Sequence, residues 1–131
     1  MKEKIFRDRF GEIEYDTATK VLRLTWSKET AGMSENEFKR WLSTFADMSQ
    51  ERITNFVVID VLNFKYRPQP SLGKWRDENI IPMYNKAGIK KFAFLLPSGT
   101  APASDPAPEG PAHFPTGYFD GEKAIYEWFE V

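Results

Sequence analysis

The chain has 131 residues, of which 41% are hydrophobic and 28% charged, with 18 lysines and arginines against 19 aspartates and glutamates. This length and composition are typical of one globular domain spanning residues 1–131, and the balanced charge gives no electrostatic preference for nucleic acid. The chain has no cysteine and a single histidine. Disulfides, thiolate metal sites and cysteine nucleophiles are therefore excluded, and we expect neither a metal nor a cofactor.

The sequence also lacks membrane and export signals. No stretch approaches the roughly 18 consecutive apolar residues of a membrane-spanning helix. Residues 1–10 alternate charged with apolar side chains and contain no apolar core of a signal peptide. We therefore expect a cytoplasmic protein that does not insert into membranes.

The first predicted element is a β-hairpin. Residues 12–15 and 20–26 flank a polar turn at residues 16–19. In the second segment Leu22 and Leu24 share one face, and polar residues share the other. The alternation predicts a strand with one covered and one exposed face, at or near the edge of a sheet.

A helix is predicted next, over residues 34–50. Ser34 and Glu37 have the spacing of a capping box, in which each side chain binds the backbone amide of the other residue. Apolar residues then recur every three or four positions and form one stripe. These residues are Phe38, Trp41, Leu42 and Phe45.

Two later segments have the composition of strands that are buried on both faces. Residues 56–62 and 91–96 are apolar at odd and even positions alike. The helix predicted between them begins near Ser71 and ends at Gly88. Pro82 should kink or split this helix, because proline lacks an amide donor and clashes with the preceding turn.

The last part of the chain is rich in proline. Residues 97–116 contain six of the nine prolines and are predicted to form an irregular surface loop. A short last strand is expected within residues 114–119. Asp120 is predicted to cap a final helix. The inward-facing residues of that helix are Ala124, Ile125, Trp128 and Phe129.

This order predicts an α/β fold, with an N-terminal β-hairpin followed by a βαβαβ(β)α superhelix. We expect a mixed, mostly parallel sheet of about 4–5 strands with about three helices. If successive strands are neighbours, every crossover helix lies on one face of the sheet. The second face would then be covered by residues 1–10, by the loop at 97–116 or by a second copy of the chain, and the last option predicts a homodimer.

With these elements placed, the chain resembles the SpoIIAA-like, or STAS-like, family of small bacterial domains. The resemblance spans roughly residues 12–130 and is carried by five passages. They are the hairpin ending at Trp26, Val57-Val-Ile-Asp-Val61, Trp75-Arg-Asp-Glu-Asn-Ile-Ile-Pro82, Lys86-Ala-Gly-Ile-Lys-Lys-Phe-Ala93 and Gly117-Tyr-Phe-Asp-Gly-Glu-Lys-Ala-Ile-Tyr-Glu-Trp128. The resemblance implies a non-catalytic regulatory or ligand-binding module of the STAS/SEC14 type.

Anti-sigma-factor antagonists of this fold carry a phosphorylatable serine, directly after an aspartate, at the start of the helix that follows the central strand. The resemblance implies Ser71 for this role. The matching region departs from the pattern, since it has no Asp-Ser pair and contains a longer, proline-containing loop.

The candidate ligand site lies where the central strand ends and the next helix begins. Residues 63–71 leave the carboxyl end of that strand, where ligands of open α/β sheets usually bind. A small anion there would meet helix-start amides and polar side chains. The candidate site comprises Asp60, Asn63, Lys65, Tyr66, Arg67 and Ser71. The alternative is a solvated basic loop with Ser71 as the N-cap of the helix.

Asp60 is the one charged residue within the central strand. Buried carboxylates are either paired or have a raised pKa, and both arrangements occur at active sites. The structural alternative is that Asp60 accepts backbone amides or pairs with a nearby lysine or arginine. His113 has no second histidine or cysteine with which to share a metal, and it is predicted to be an exposed loop residue.

Three classes of function follow from these observations. The first is a non-catalytic regulatory or binding module that contacts another protein, itself or a small anionic ligand. The second is a carrier of a small molecule or lipid, which would use an apolar cavity or sheet face lined by aromatic side chains. The third and weakest is an enzyme with Asp60, Lys65 and Tyr66 as an acid–base set, because no spacing here is diagnostic of catalysis. Nucleic-acid binding is not expected.

Overall fold

One mixed sheet of seven strands organises the computed structural model, which describes residues 1–131. The strands are β1 (Lys2–Asp8), β2 (Gly11–Asp16), β3 (Val21–Trp26), β4 (Phe56–Asp60), β5 (Lys91–Leu95), β6 (Ala107–Pro108) and β7 (Pro115–Phe119). The helices are α1 (Glu35–Gln50), α2 (Ser71–Asn79), α3 (Ile81–Ala87) and α4 (Glu122–Phe129), together with a 3-10 helix at Lys28–Gly32. The predicted α/β fold and its N-terminal hairpin are confirmed.

The strand order across the sheet is β1-β2-β3-β4-β5-β7-β6. The four central strands, β3, β4, β5 and β7, are parallel, and the outer pairings are antiparallel. The strand count exceeds the prediction because β1 and β6 were not expected. β3 consequently lies third from the edge, between β2 and β4, rather than at the edge.

Helix α1 begins as its sequence predicts. The Ser34 hydroxyl accepts a hydrogen bond from the Glu37 amide at 3.1 Å, and a Glu37 carboxylate oxygen accepts one from the Ser34 amide at 2.9 Å. Two of the amides that a helix start leaves unpaired are therefore satisfied locally.

The helix between β4 and β5 is split, as Pro82 predicts. α2 ends at Asn79 and α3 begins at Ile81, with Pro82 in the first turn of α3, where the missing amide is tolerated. Gly88 ends α3 with a positive φ of 76°, a conformation that glycine adopts without strain. The split pair and the two other helices make three helical units, as expected.

Helices cover both faces of the sheet. The larger core lies between the sheet and α1 and α3, and includes Leu24, Phe45, Val57 and Tyr84. The smaller core lies on the other face, where α4 packs Ile125 and Phe129 against the sheet. This smaller core comprises Val21, Phe56, Val58, Ala93, Leu95, Ile125 and Phe129.

Helix α4 therefore corrects the expectation that residues 1–10, the loop at 97–116 or a second copy covers the second face. Crossover helices lie on one face of the sheet, whereas α4 is not a crossover helix: it follows the last central strand, β7, and returns to the opposite face. Because α4 covers this face, an uncovered sheet face no longer argues for a homodimer, and the homodimer stays a prediction.

The loop at 97–116 is mostly irregular, but it contributes the short strand β6 and the first residues of β7, and it buries Ala112 and Phe114. Asp120 does not cap α4. Its carboxylate accepts the amide of Gly99 at 2.9 Å and so holds the start of this loop, while Gly121 occupies the N-cap position. None of the helices combines the length and the apolar character needed to cross a membrane.

Candidate ligand pocket at the carboxyl ends of the parallel strands

The four parallel strands place one row of side chains under a cavity. Leu24 pairs in register with Ile59, Ile59 with Phe94, and Phe94 with Tyr118. Because side chains alternate along a strand, residues in register point to the same face, here the face covered by α1 and α3. These four residues form the floor of a cavity of about 220 Å³ near the carboxyl edge of the sheet.

Aromatic and aliphatic side chains form most of the cavity surface, and 11 of its 13 lining residues are hydrophobic. One wall comes from the end of β3, from α1 and from the segment after β4. The ring centroids of Trp26 and Phe64 lie 5.1 Å apart, and those of Phe38 and Phe64 5.9 Å apart. The remaining apolar lining is contributed by Leu42, Val61, Tyr84 and Phe92. Such surroundings bind apolar groups.

Two charged side chains line the same cavity. Arg76 of α2 is half-buried, and its guanidinium carbon lies 5.6 Å from the centroid of the Phe92 ring. Glu109 is exposed and accepts a hydrogen bond of 2.7 Å from the Tyr118 hydroxyl. Burial, with a smaller contribution from Glu109, raises the pKa of Tyr118 to about 12, while Arg76 opposes this shift.

Tyr84 presents a second polar group to the cavity. Its side chain is only 1% exposed, and its hydroxyl, which forms no hydrogen bond within the chain, keeps access to the cavity, since Thr19 Oγ1 is the only fully buried polar side-chain atom that lacks a partner. Burial raises the pKa of Tyr84 to about 12, and the nearby charge of Arg76 acts in the opposite direction. The hydroxyl is therefore protonated at neutral pH and has a hydrogen bond to donate.

Asp60 faces away from this cavity. A carboxylate oxygen accepts a 2.8 Å hydrogen bond from Arg23, and the other accepts the amide of Leu62 at 3.0 Å. Arg23 also pairs with Glu122 at the start of α4. Asp60 thus has the partners that its structural interpretation predicts, an arginine and a backbone amide, and hydrogen-bonds neither Lys65 nor Tyr66.

The other candidate residues after β4 do not converge on one point. The amide of Lys65 donates to the Thr30 hydroxyl at 2.8 Å, and its side chain, like that of Arg67, is exposed. The ring of Tyr66 lies 5.0 Å from that of Phe38, outside the cavity. Asn63 borders a separate, open and polar cavity of about 390 Å³, which is lined by Arg7, Arg9 and Glu12 among others.

Ser71 is exposed and is the first residue of α2 rather than its N-cap. The N-cap position belongs to Pro70, which offers no side-chain hydrogen bond, so the expectation of a serine cap was wrong. Pro70 precedes the helix with a φ of −55° and a ψ of −31°, and proline has no side-chain oxygen to accept a helix amide. Phosphorylation of Ser71 stays a prediction. His113 is exposed in the loop, as predicted.

The sequence places the candidate site at the carboxyl edge of the sheet, where the cavity also lies, but none of the six candidate residues lines this cavity. Tyr84 appeared only as one member of an apolar helical stripe, and Arg76 only as one of several cations. The available signal was the row of inward-facing residues near the ends of successive strands, because parallel strands in register bring such positions together.

Comparison with known proteins finds no match to this chain among family models, curated proteins or solved structures. Its function is therefore inferred from the geometry of the cavity.

Proposed function

We propose that this protein is a non-catalytic binding module that holds a small, largely apolar molecule in the aromatic cavity. The observation that carries the proposal is the cavity itself, about 220 Å³ in volume, with 11 hydrophobic residues among the 13 that line it. The cavity is partly open to solvent, and concave surfaces lined by apolar side chains with a few polar groups are where small ligands usually bind. An apolar space of this size at the usual binding edge of an α/β sheet is a site for a ligand.

The volume limits the size of the ligand. Pockets for drug-sized molecules typically measure roughly 300–1,000 Å³, and this cavity is smaller. A single aromatic ring with a short substituent, or a short alkyl chain, suits it better than a two-chain lipid. Within the carrier hypothesis, the size therefore favours a small molecule.

Binding without chemistry is supported by the polar groups of the cavity. Arg76, Glu109, Tyr84 and Tyr118 are its ionisable residues, and none is a nucleophile paired with a base. Asp60, the residue that an enzyme hypothesis needs most, is held by Arg23 on the opposite face. A regulatory or ligand-binding module is also what the resemblance to STAS-like domains implies.

The proposal is tested by ¹⁹F NMR with a library of small fluorinated fragments, both neutral and anionic. Val61 lines the cavity and is half-buried, so Val61→Phe should fill it. The matched control is Leu62→Phe, because Leu62 is 44% exposed and does not line the cavity. We expect fragments that bind the wild type and Leu62→Phe but not Val61→Phe. Absence of any binding fragment, or equal binding by both variants, contradicts the proposal.

A further inference from the structure

We infer that the ligand of this cavity is a monoanion, an aromatic or short aliphatic acid whose acidic group is bound by Arg76 and Tyr84. This inference rests on the proposed binding function and specifies the class of ligand. The apolar part of the acid would lie against the aromatic wall that includes Trp26, Phe38 and Phe94.

Arg76 is a cation without an anionic partner. No carboxylate lies within 4.0 Å of its guanidinium, and Arg76 takes part in none of the eight ion pairs of the chain. Of the two other half-buried arginines, Arg23 is paired with both Asp60 and Glu122, and Arg52 donates a hydrogen bond to the Met48 carbonyl. Partial burial of an unpaired charge costs free energy, and an acidic ligand would supply the missing partner.

The chemistry of the guanidinium selects the kind of partner. Its planar array of N–H donors matches a carboxylate or similar oxyanion, to which it donates two parallel hydrogen bonds. The face of the Phe92 ring lies beside Arg76, so the donors along the guanidinium edge remain available to a ligand.

The position of Tyr84 is a second, independent observation that supports an anionic ligand. Its hydroxyl has no hydrogen-bond partner within the chain and is not fully buried, so it opens into the cavity that Tyr84 lines and can donate a hydrogen bond to a ligand there. Tyr84 and Arg76 lie on consecutive helices that line the same cavity. An oxyanion that bridges them would satisfy the guanidinium and the hydroxyl together.

Glu109 limits the charge of the ligand. It is the only carboxylate that lines the cavity, and the Tyr118 hydroxyl donates to it rather than to a ligand. Its negative charge would oppose a second acidic group nearby. The lining therefore suits a ligand with one negative charge next to Arg76 and an uncharged part that lies over the sheet.

Isosteric acid and amide pairs test the inference directly, because they differ in charge and hardly in shape. The pairs are benzoate with benzamide, trans-cinnamate with cinnamamide, and hexanoate with hexanamide, titrated by NMR at pH 7. We expect at least one acid to bind about tenfold or more tightly than its amide, since hydrogen bonds to charged groups are worth roughly 1.5–3 kcal/mol.

Three variants assign the charge recognition to its residues. Arg76→Gln should weaken the acid about tenfold or more and leave the amide unchanged, and Tyr84→Phe should weaken the acid by a smaller factor. Arg40→Gln is the control, because Arg40 is exposed on α1 and does not line the cavity. Circular dichroism verifies that each variant is folded, and Arg76→Lys, which keeps the charge but not the planar donors, replaces Arg76→Gln if the latter unfolds.

The outcomes separate the two proposals. Equal affinity for acids and amides, or acid affinity unaffected by both Arg76→Gln and Tyr84→Phe, overturns the monoanion inference and leaves the apolar binding function intact. If no member of any pair binds and the fluorinated fragments also fail, the binding function itself is wrong.

Discussion

Arg23 on β3 and Asp60 on β4 are joined across neighbouring parallel strands by a hydrogen bond of 2.8 Å, with side chains only 17% and 10% exposed. Both face α4, and Arg23 extends the pair to Glu122 in the first turn of that helix. The ion triad therefore ties α4 to the sheet on the face opposite the ligand cavity. This geometry separates Asp60, the one charged residue of the central strand, from the proposed ligand cavity.

The first prediction concerns this pair. Asp60→Asn removes a carboxylate from a mostly buried arginine, and breaking a buried ion pair is strongly destabilising, so we expect a loss of about 2–3 kcal/mol in the free energy of unfolding. Glu122→Gln should cost less than about 1 kcal/mol, because Glu122 is 57% exposed. Urea unfolding measures both values.

Ligand affinity distinguishes structure from function at Asp60. Because Asp60 and the cavity lie on opposite faces, Asp60→Asn should leave fragment binding unchanged at temperatures where the variant is folded. Loss of binding in the folded variant would show that Asp60 belongs to the functional site after all.

Tyr84 predicts a loss of stability at high pH. Burial raises its pKa from 10.0 to about 12 in the folded protein, so the folded state keeps the proton at a pH where the unfolded chain releases it. The corresponding stability is fully present below pH 10 and is lost as the pH rises toward about 12. Two pKa units correspond to about 2–3 kcal/mol.

Comparison of the wild type with Tyr84→Phe isolates this contribution. The variant should lose less stability between pH 9 and pH 11.5 than the wild type, as judged by urea unfolding at each pH. The difference between the two proteins should be constant below about pH 9, where neither state releases the proton. Parallel stability curves across the whole range would contradict the assignment.

The capping box gives a third prediction. Ser34→Ala removes the hydroxyl that accepts the Glu37 amide, and loss of such a cap typically costs about 1 kcal/mol. Ser98→Ala, in the exposed part of the proline-rich loop, is the control and should change stability by less than about 0.5 kcal/mol. If the two serines prove equally dispensable in thermal unfolding, the cap contributes nothing measurable to α1.

Local chemistry explains which parts of the fold were predictable from the sequence. The start of α1 depends on Ser34 and Glu37 alone, and the split near Pro82 and the stop at Gly88 depend on backbone constraints of single residues. Each signal lies within one turn of the element that it controls. These features were confirmed because no distant contact is needed to produce them.

The missing parts depend on contacts between distant residues. Helix α4 follows β7 and packs on the face opposite α1 and α3, and the spacing of its apolar residues predicts a buried side but not which face of the sheet it covers. The cavity has the same origin, because Tyr84 has the spacing of an ordinary core residue. Only the three-dimensional arrangement shows that packing stops short of its hydroxyl and that Arg76 has no partner.

The role of α4 as the cover of the second face gives the last prediction. Phe129 stacks on Phe56, with ring centroids 4.6 Å apart and planes 12° from parallel. Phe129→Ala should cost about 3–5 kcal/mol, because it leaves a cavity between helix and sheet. Ala124 is exposed on the same helix, contrary to the sequence-based expectation that it faces inward, so Ala124→Ser should alter stability by less than about 0.5 kcal/mol. Light scattering coupled to gel filtration should show self-association for Phe129→Ala and not for Ala124→Ser, since only the former uncovers apolar surface.

A fully stable Phe129→Ala variant with unchanged mass would mean that something other than α4 covers this face of the sheet. A second copy of the chain would then again be the best candidate for that cover.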